Sequence, residues 1–230
     1  MKAAILMMGM AAFATTAEAS DSKSSFPRMA PPLVRETVLP LAIYTDEVLF
    51  GSVWARPELS PRDRSLITVA ALVAGSHANQ TRGHTNRGLD NGIEPEAFGE
   101  ILAHLTTFTG PDSSRAVLPV MKEVFAERDL DASSLDEAMA ALPEAGADLW
   151  QRPGLTQRDR SIVTVAAMIA GTRPDELAGH LDRAMDEGLT EAEAGEIVTH
   201  LAFYTGWPNA MTAVPVLRAV FDERGEASGG

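Results

Sequence analysis

The stretch SPRDRSLITVAALVAG, residues 60–75, returns as TQRDRSIVTVAAMIAG at residues 156–171. Each copy opens on a hydroxyl residue, Ser60 or Thr156, with an aspartate three positions on, Asp63 or Asp159. That spacing lets the side-chain oxygen cap the first free backbone N–H groups of a helix, and Pro61 suits a first turn. The runs that follow, Leu66 to Ala74 and Ile162 to Ala170, are apolar on nearly all sides and stop at Gly75 and Gly171. A buried strand is the competing reading for so short a run. The caps, the alanine content and the glycine stops predict a central buried helix in each copy.

The repetition extends outward at one constant offset with no gaps. Trp54, Arg56 and Pro57 recur as Trp150, Arg152 and Pro153, and Gly83-His84 as Gly179-His180. Gly99-Glu100-Ile101 and His104-Leu105 recur as Gly195-Glu196-Ile197 and His200-Leu201, and Pro119-Val120 as Pro215-Val216. Loops and hydrophobic positions repeat together, which points to a duplicated structural unit. Two copies are too few for a solenoid, so a pseudo-two-fold pair sharing one core is expected. A second helix is predicted from about Asn79 to Asn91, ended by Gly92, with its partner ended by Gly188. The third begins near Pro95 and carries Phe98, Ile101, Leu102, Leu105 and Phe108 at helical spacing before Gly110. The fourth covers about Ser113 to Glu127, with a kink expected at Pro119 and, in the second copy, at Pro215. No strand pattern of any length is present, so the fold class is all-α.

Around the copies, residues 1–19 read as a secretory signal peptide. Lys2 gives a basic start, Ala3 to Phe13 an apolar run too short to span a bilayer, and Ala17-Glu18-Ala19 a small-x-small cleavage site, so the mature chain would begin near Ser20. Residues 20–49 form an N-terminal segment with a leading helix interrupted near Pro40. The first repeat covers 50–128, an acidic linker with a short helix 129–145, the second repeat 146–224, and a flexible tail 225–230. The expected location is exported, periplasmic or secreted, with no membrane attachment after cleavage.

The formal net charge of -13 argues against nucleic acid and anionic membrane surfaces as partners, although local arginines can still bind a small acid. The absence of cysteine removes disulfides, thiolate nucleophiles and Cys-based metal sites together. There is no Gly-rich phosphate loop and no GxSxG elbow. A metal site on His77 and His84 is weak, because the second copy has Arg173 opposite His77; none is assigned.

Histidines carry the remaining chemical interest. On the second helix His180 lies at the edge of an apolar stripe formed by Leu177, Leu181, Ala184 and Met185, and His84 keeps the position on a more polar helix. Desolvation there favours neutral imidazole, able to act as a general base; a core histidine bonded to a backbone carbonyl is the alternative. Glu100 with His104, and Glu196 with His200, are spaced i, i+4, which either orients an imidazole and raises its pKa or makes an ordinary helix pair. One of Arg62 and Arg64, and of Arg158 and Arg160, could clamp a carboxylate, or these arginines could pair with Asp63, Asp159 or another carboxylate at the repeat interface. Trp54 and Trp150 read as anchors of the core.

Taken together, Trp54-x-Arg56-Pro57-x-Leu59, Arg62-x-Arg64-Ser65, Gly83-His84, Asn91-Gly92-Ile93, Glu100-Ile101 and Tyr204-Thr205-Gly206-Trp207-Pro208-Asn209-Ala210 resemble the carboxymuconolactone decarboxylase family, in the AhpD-like all-α superfamily. The resemblance covers both repeats. It implies homo-oligomeric assembly, with a trimer favoured for two-repeat chains, and a cofactor-free lyase acting on a small lactone or carboxylic acid. The superfamily's redox branch uses a CxxC pair before the histidine. Here those positions hold His77 and Gln80, and Arg173 and Glu176, so peroxidase chemistry by that mechanism is excluded. The decarboxylase branch implies His84 and His180 for proton transfer, Arg64 or Arg160 for the substrate carboxylate, and Tyr204 and Trp207 on a pocket-side turn. Phe108-Thr109-Gly110-Pro111-Asp112 has lost the pattern of that turn, so the second copy is the better expected site of an active pocket. A non-catalytic module that binds a small acid, or serves assembly, is the alternative on the same fold.

Overall fold

A computed structural model describes residues 28–140 and 149–228. The expected signal peptide and the last part of the expected linker lie outside the described residues. The described chain is helical throughout: α1 (Pro32–Thr37), α2 (Leu39–Ile43), a π-helical turn Tyr44–Phe50, a 3₁₀ turn Val53–Ala55, α3 (Pro61–Ala74), α4 (Ala78–Asp90), α5 (Pro95–Thr109) and α6 (Pro111–Glu127) lead through the first repeat. The short α7 (Ser133–Ala140) precedes α8 (Gln157–Ala170), α9 (Pro174–Asp186), α10 (Glu191–Thr205) and α11 (Trp207–Ser228). α11 thus continues past Arg224 into the expected tail. Among the described residues there is no strand, and no helix is long and apolar enough to cross a membrane.

The central helices α3 and α8 form for the reasons their sequences give. Ser60 Oγ accepts from the Asp63 N–H at 3.0 Å, and Thr156 Oγ1 from the Asp159 N–H at 3.0 Å. From Asp63 to Val73 and from Asp159 to Ile169 every residue is buried, so these helices have no polar face. After α3 the left-handed residue is Ser76 (φ 56°) and not Gly75, which keeps helical dihedrals. A Cβ at Gly75 would lie 2.6 Å from the ring of His77, an exposed side chain that can turn aside.

The two first turns meet. Arg62 makes a bidentate pair with Asp159 at 2.9 and 2.8 Å, and Arg158 reaches Asp63 at 2.9 Å, so each aspartate that starts a central helix is held by the other repeat. Around this pair the third helices cross over: α10 packs on α3, and α5 packs on α8. One hydrophobic core then runs through both repeats, joining Leu66, Ile101 and Phe125 to Ile162, Leu181 and Ile197. Helix α7 docks on α5 at Gly99, where a Cβ would come within 2.5 Å of the Ser134 carbonyl oxygen. Pro119 and Pro215 both lie inside helices, α6 and α11.

Ahead of the first repeat the chain breaks at Val38 (φ -136°, ψ 69°), before the Leu39-Pro40 pair that starts α2. The segment is fastened by Asp46. Its buried carboxylate accepts from the Met29 and Ala30 N–H groups at 2.8 and 2.7 Å and pairs with Arg35. Burial pushes its pKa up, but the Arg35 and backbone hydrogen bonds outweigh it and hold the group below the usual value.

Candidate active site

Because α5 and α10 cross over, each site draws on both repeats. In the first, α3 and α4 supply Arg64, Thr68, His84 and Arg87, the connection before α3 supplies Trp54 and Arg56, and α10 supplies Glu196, His200 and Tyr204. Glu196 lies at the base, fully buried, in ion pairs with Arg64 at 2.7 Å and Arg56 at 2.8 Å. Thr68 Oγ1 donates to the Arg64 carbonyl at 2.7 Å, and so accepts from His200 Nε2 at 2.8 Å. His200 is therefore a neutral Nε2–H imidazole, with Nδ1 facing Arg64 Nη1 at 3.4 Å. Burial and the Arg64 charge drive its pKa down to about 3.

Above this layer the rings stack. Trp54 lies against His84 (5.9 Å between centroids, 17° between planes) and Phe50 against Trp54 (5.8 Å, 25°), while Tyr204 meets His84 edge-on at 5.1 Å. The Trp54 indole N–H donates to the Tyr204 hydroxyl at 2.8 Å, and Thr68 is the phenol's other hydrogen-bond neighbour. Burial raises the Tyr204 pKa and keeps the phenol protonated. Arg87 spreads over the Phe50 and Trp54 rings at 4.6 and 4.9 Å. Desolvation, helped by Arg87, brings His84 down to about 4, and its buried Nδ1 has no hydrogen-bond partner. His84, Arg87 and Tyr204 open on a half-enclosed cavity of about 820 Å³, and no carboxylate lines it among the described residues.

The second site repeats the frame with different contents. Glu100 pairs with Arg160 and Arg152, each at 2.8 Å, and Thr164 Oγ1, which donates to the Arg160 carbonyl, accepts from His104 Nε2 at 2.8 Å. Trp150 stacks with His180 at 6.5 Å, and Arg183 covers Trp150 at 3.7 Å. Phe108 takes the place of Tyr204, so the phenolic hydroxyl is lost. The cavity is smaller, about 440 Å³, and Glu176, Asp182 and Asp186 line it. Desolvation lowers the His180 pKa, with Glu176 opposing and Arg173 and Arg183 reinforcing.

Several expected roles meet a different geometry. Arg64 and Arg160 are fully buried and committed to Glu196 and Glu100 of the opposite repeat; neither lines a cavity. Glu100 and Glu196 turn to those arginines and not to the histidine one turn on, and His104 falls to about 3, chiefly through burial, where the i, i+4 pairing would have raised it. Tyr204 completes the pocket of His84 and not that of His180, which corrects the expectation that the second copy holds the better pocket by itself. The Tyr204–Ala210 turn is mostly helix: Gly206 (φ 87°) joins α10 to α11, and Trp207 is 63% exposed, touching Phe203 at 6.5 Å. Trp54 and Trp150 carry the histidines and are more than core anchors. His77 and His84 both line the first cavity, but no group of three or more His, Cys, Asp or Glu among the described residues could hold a metal. Arg87 was missed, although Arg183 repeats it at the same offset and a cation three residues after the histidine in both copies was there to be read.

The buried ionic layer makes a stability prediction. Glu196→Gln keeps the shape but turns an amide N–H toward an arginine, leaving Arg64 buried without a counter-charge. A loss of about 2–3 kcal/mol is expected in urea unfolding, matched by Glu100→Gln. A loss below about 1 kcal/mol in both would mean that these pairs do not hold the repeats together.

Comparison with known proteins agrees with this frame. The model of the Carboxymuconolactone decarboxylase family matches residues 40–123 and 136–219, two segments separated by the same offset as Trp54 and Trp150. A 4-carboxymuconolactone decarboxylase of Acinetobacter baylyi is 37% identical over 83 residues, 36% of this chain and 62% of the relative. The nitrosuccinic acid decarboxylase npaB of Metarhizium robertsii is 36% identical over 75 residues, 33% of this chain and 52% of the relative. The matches thus span between half and two thirds of the curated relatives' length. With the family pattern matched twice, over most of its length and on two crossed, all-helical repeats, the chain belongs to the carboxymuconolactone decarboxylase family.

Proposed function

We propose that this chain decarboxylates a small carboxylic or lactone acid in the cavity beside His84. The observation that carries the reading is the juxtaposition there of Arg87, which has no carboxylate partner among the described residues, with a neutral histidine and a protonated phenol. Loss of carbon dioxide leaves an electron pair on carbon. That pair must pass into an adjoining acceptor group and then be quenched by a proton. Arg87 holds the carboxylate at the mouth, and the Tyr204 hydroxyl donates to the oxygen on which charge develops. His84, which carries one N–H and one bare nitrogen, passes the proton. An anion arriving beside it raises its pKa from about 4, so that more of the imidazole is protonated and able to supply the proton. The names of the two relatives support decarboxylation as the reaction class.

The second reading, a module that binds a small acid without turning it over, uses the same cavity. Release of carbon dioxide from a panel of lactone acids and β-keto or vinylogous acids separates them. Turnover that His84→Ala abolishes supports the lyase; saturable binding with no turnover across the panel supports the module. Export by the residues 1–19 leader and assembly as a trimer are also part of the proposal. A secreted or periplasmic product starting near Ser20, with the solution mass of three chains, is the expected result; an intact Met1 or a monomer would overturn the respective part.

A further inference from the structure

The first cavity holds a second kind of information, about the body of the acid it receives. This inference rests on the reading of that cavity as an acid site. Its apolar walls come from three places, and α4 adds the polar Asn79, Gln80 and Asn86. The N-terminal segment contributes Met29, Leu49 and Phe50, α3 contributes Leu72, and α10 contributes Phe203 and Tyr204. Against this apolar surface there are two arginines. Arg82 is already paired with Glu123 and Glu127, whereas Arg87 has no carboxylate partner among the described residues and sits 4.6 and 4.9 Å from the centres of the Phe50 and Trp54 rings.

One uncompensated cation neutralises one anionic group. A compact diacid would bring a second charge with no free counter-charge and would leave the apolar walls wet. A ligand with one carboxylate and an extended apolar or aromatic body satisfies both, and a volume of about 820 Å³ lies in the range of sites for such molecules. The wall that decides this is made by the segment fastened through Asp46. Among the described residues the second cavity is lined instead by three carboxylates, Glu176, Asp182 and Asp186. We infer that the first cavity is a site for bulky, apolar monocarboxylic acids, selected by the N-terminal segment through Leu49 and Phe50 and anchored by Arg87.

Calorimetric titration of the full chain with 1-naphthylacetate, its neutral amide and succinate tests this. The expected result is that 1-naphthylacetate binds at least about tenfold more tightly than either of the others. Arg87→Gln should remove the preference for the acid over the amide. Leu49→Asn, on the outer segment, should weaken 1-naphthylacetate about tenfold without touching the anchoring arginine. Succinate binding as tightly as 1-naphthylacetate, with both lost in Arg87→Gln, would overturn the bulky-acid inference and leave the acid site standing. Binding of neither acid, or binding indifferent to Arg87→Gln, would overturn both.

Discussion

Acidification from pH 7.5 to pH 5 is expected to remove most of the stability of this fold, well before its carboxylates are protonated. The cause is the set of buried neutral imidazoles. In the folded chain His84 titrates at about 4 and His104 and His200 at about 3, each chiefly because burial penalises the charged ring, against an ordinary value of 6.5. The sign follows from the protons bound. Between pH 6.5 and the folded values the unfolded chain carries protons on these rings and the native chain does not, so stability falls as pH falls through that window. Each ring costs about 1.4 kcal/mol per pH unit below 6.5, and three together about 6 kcal/mol at pH 5, comparable to the whole stability of an ordinary domain. The depressed carboxylates Asp46 and Asp159 add their own loss only lower, as pH falls through folded values below 3.8. Urea unfolding at pH 7.5 and pH 5 reads the effect directly. The double variant His104→Gln, His200→Gln, whose amides can still donate to Thr164 and Thr68, should flatten the dependence by about two thirds. Equal midpoints at the two pH values in the parent chain would refute the account.

The parts of this architecture that are local in the chain could be read from it. Ser60 and Thr156 cap as their spacing to Asp63 and Asp159 requires, and α5 spans Pro95 to Thr109, the interval the apolar spacing marked. What could not be read is which helix of one copy faces which of the other. Glu196 and His200 sit one turn apart on α10, and nothing in that spacing shows that both will be held by Arg64 and Thr68 on the opposite repeat. The contact that completes the first pocket, Trp54 to Tyr204, closes across 150 residues. A repeat aligned to itself compares each residue with its counterpart, whereas crossed helices bring together residues that are not counterparts. For that reason His84 was paired in expectation with its own copy, and the exchange of Tyr204 for Phe108 was credited to the wrong histidine. The N-terminal wall was hidden for a related cause: the sequence of the π-helical turn Tyr44–Phe50 is not repeated at the same offset, residues 140–146.

The same crossing sets the second large expectation, an unequal effect of two histidines that look equivalent in sequence. His84→Ala is expected to lower decarboxylation by about 10²–10⁴, the range for loss of a proton-transfer group, and His180→Ala to leave the rate essentially unchanged. Three differences between the cavities decide this. Arg87 and His84 share a cavity without carboxylates, whereas Glu176, Asp182 and Asp186 line that of His180 and already occupy Arg173 and Arg224. Tyr204 brings a protonated hydroxyl to His84, and Phe108 brings none to His180. The first cavity is also the larger, about 820 against 440 Å³. Loss of activity through unfolding can be told apart, because the buried Nδ1 of His84 makes no hydrogen bond whose removal would strand a partner. His84→Ala should therefore stay folded by circular dichroism at pH 7.5 while turnover disappears, and Tyr204→Phe, which makes the first site resemble the second, should lose part of the rate with His84 in place. A chain in which His180→Ala is the inactive variant would place the chemistry in the acidic cavity and reverse the assignment made from these two environments.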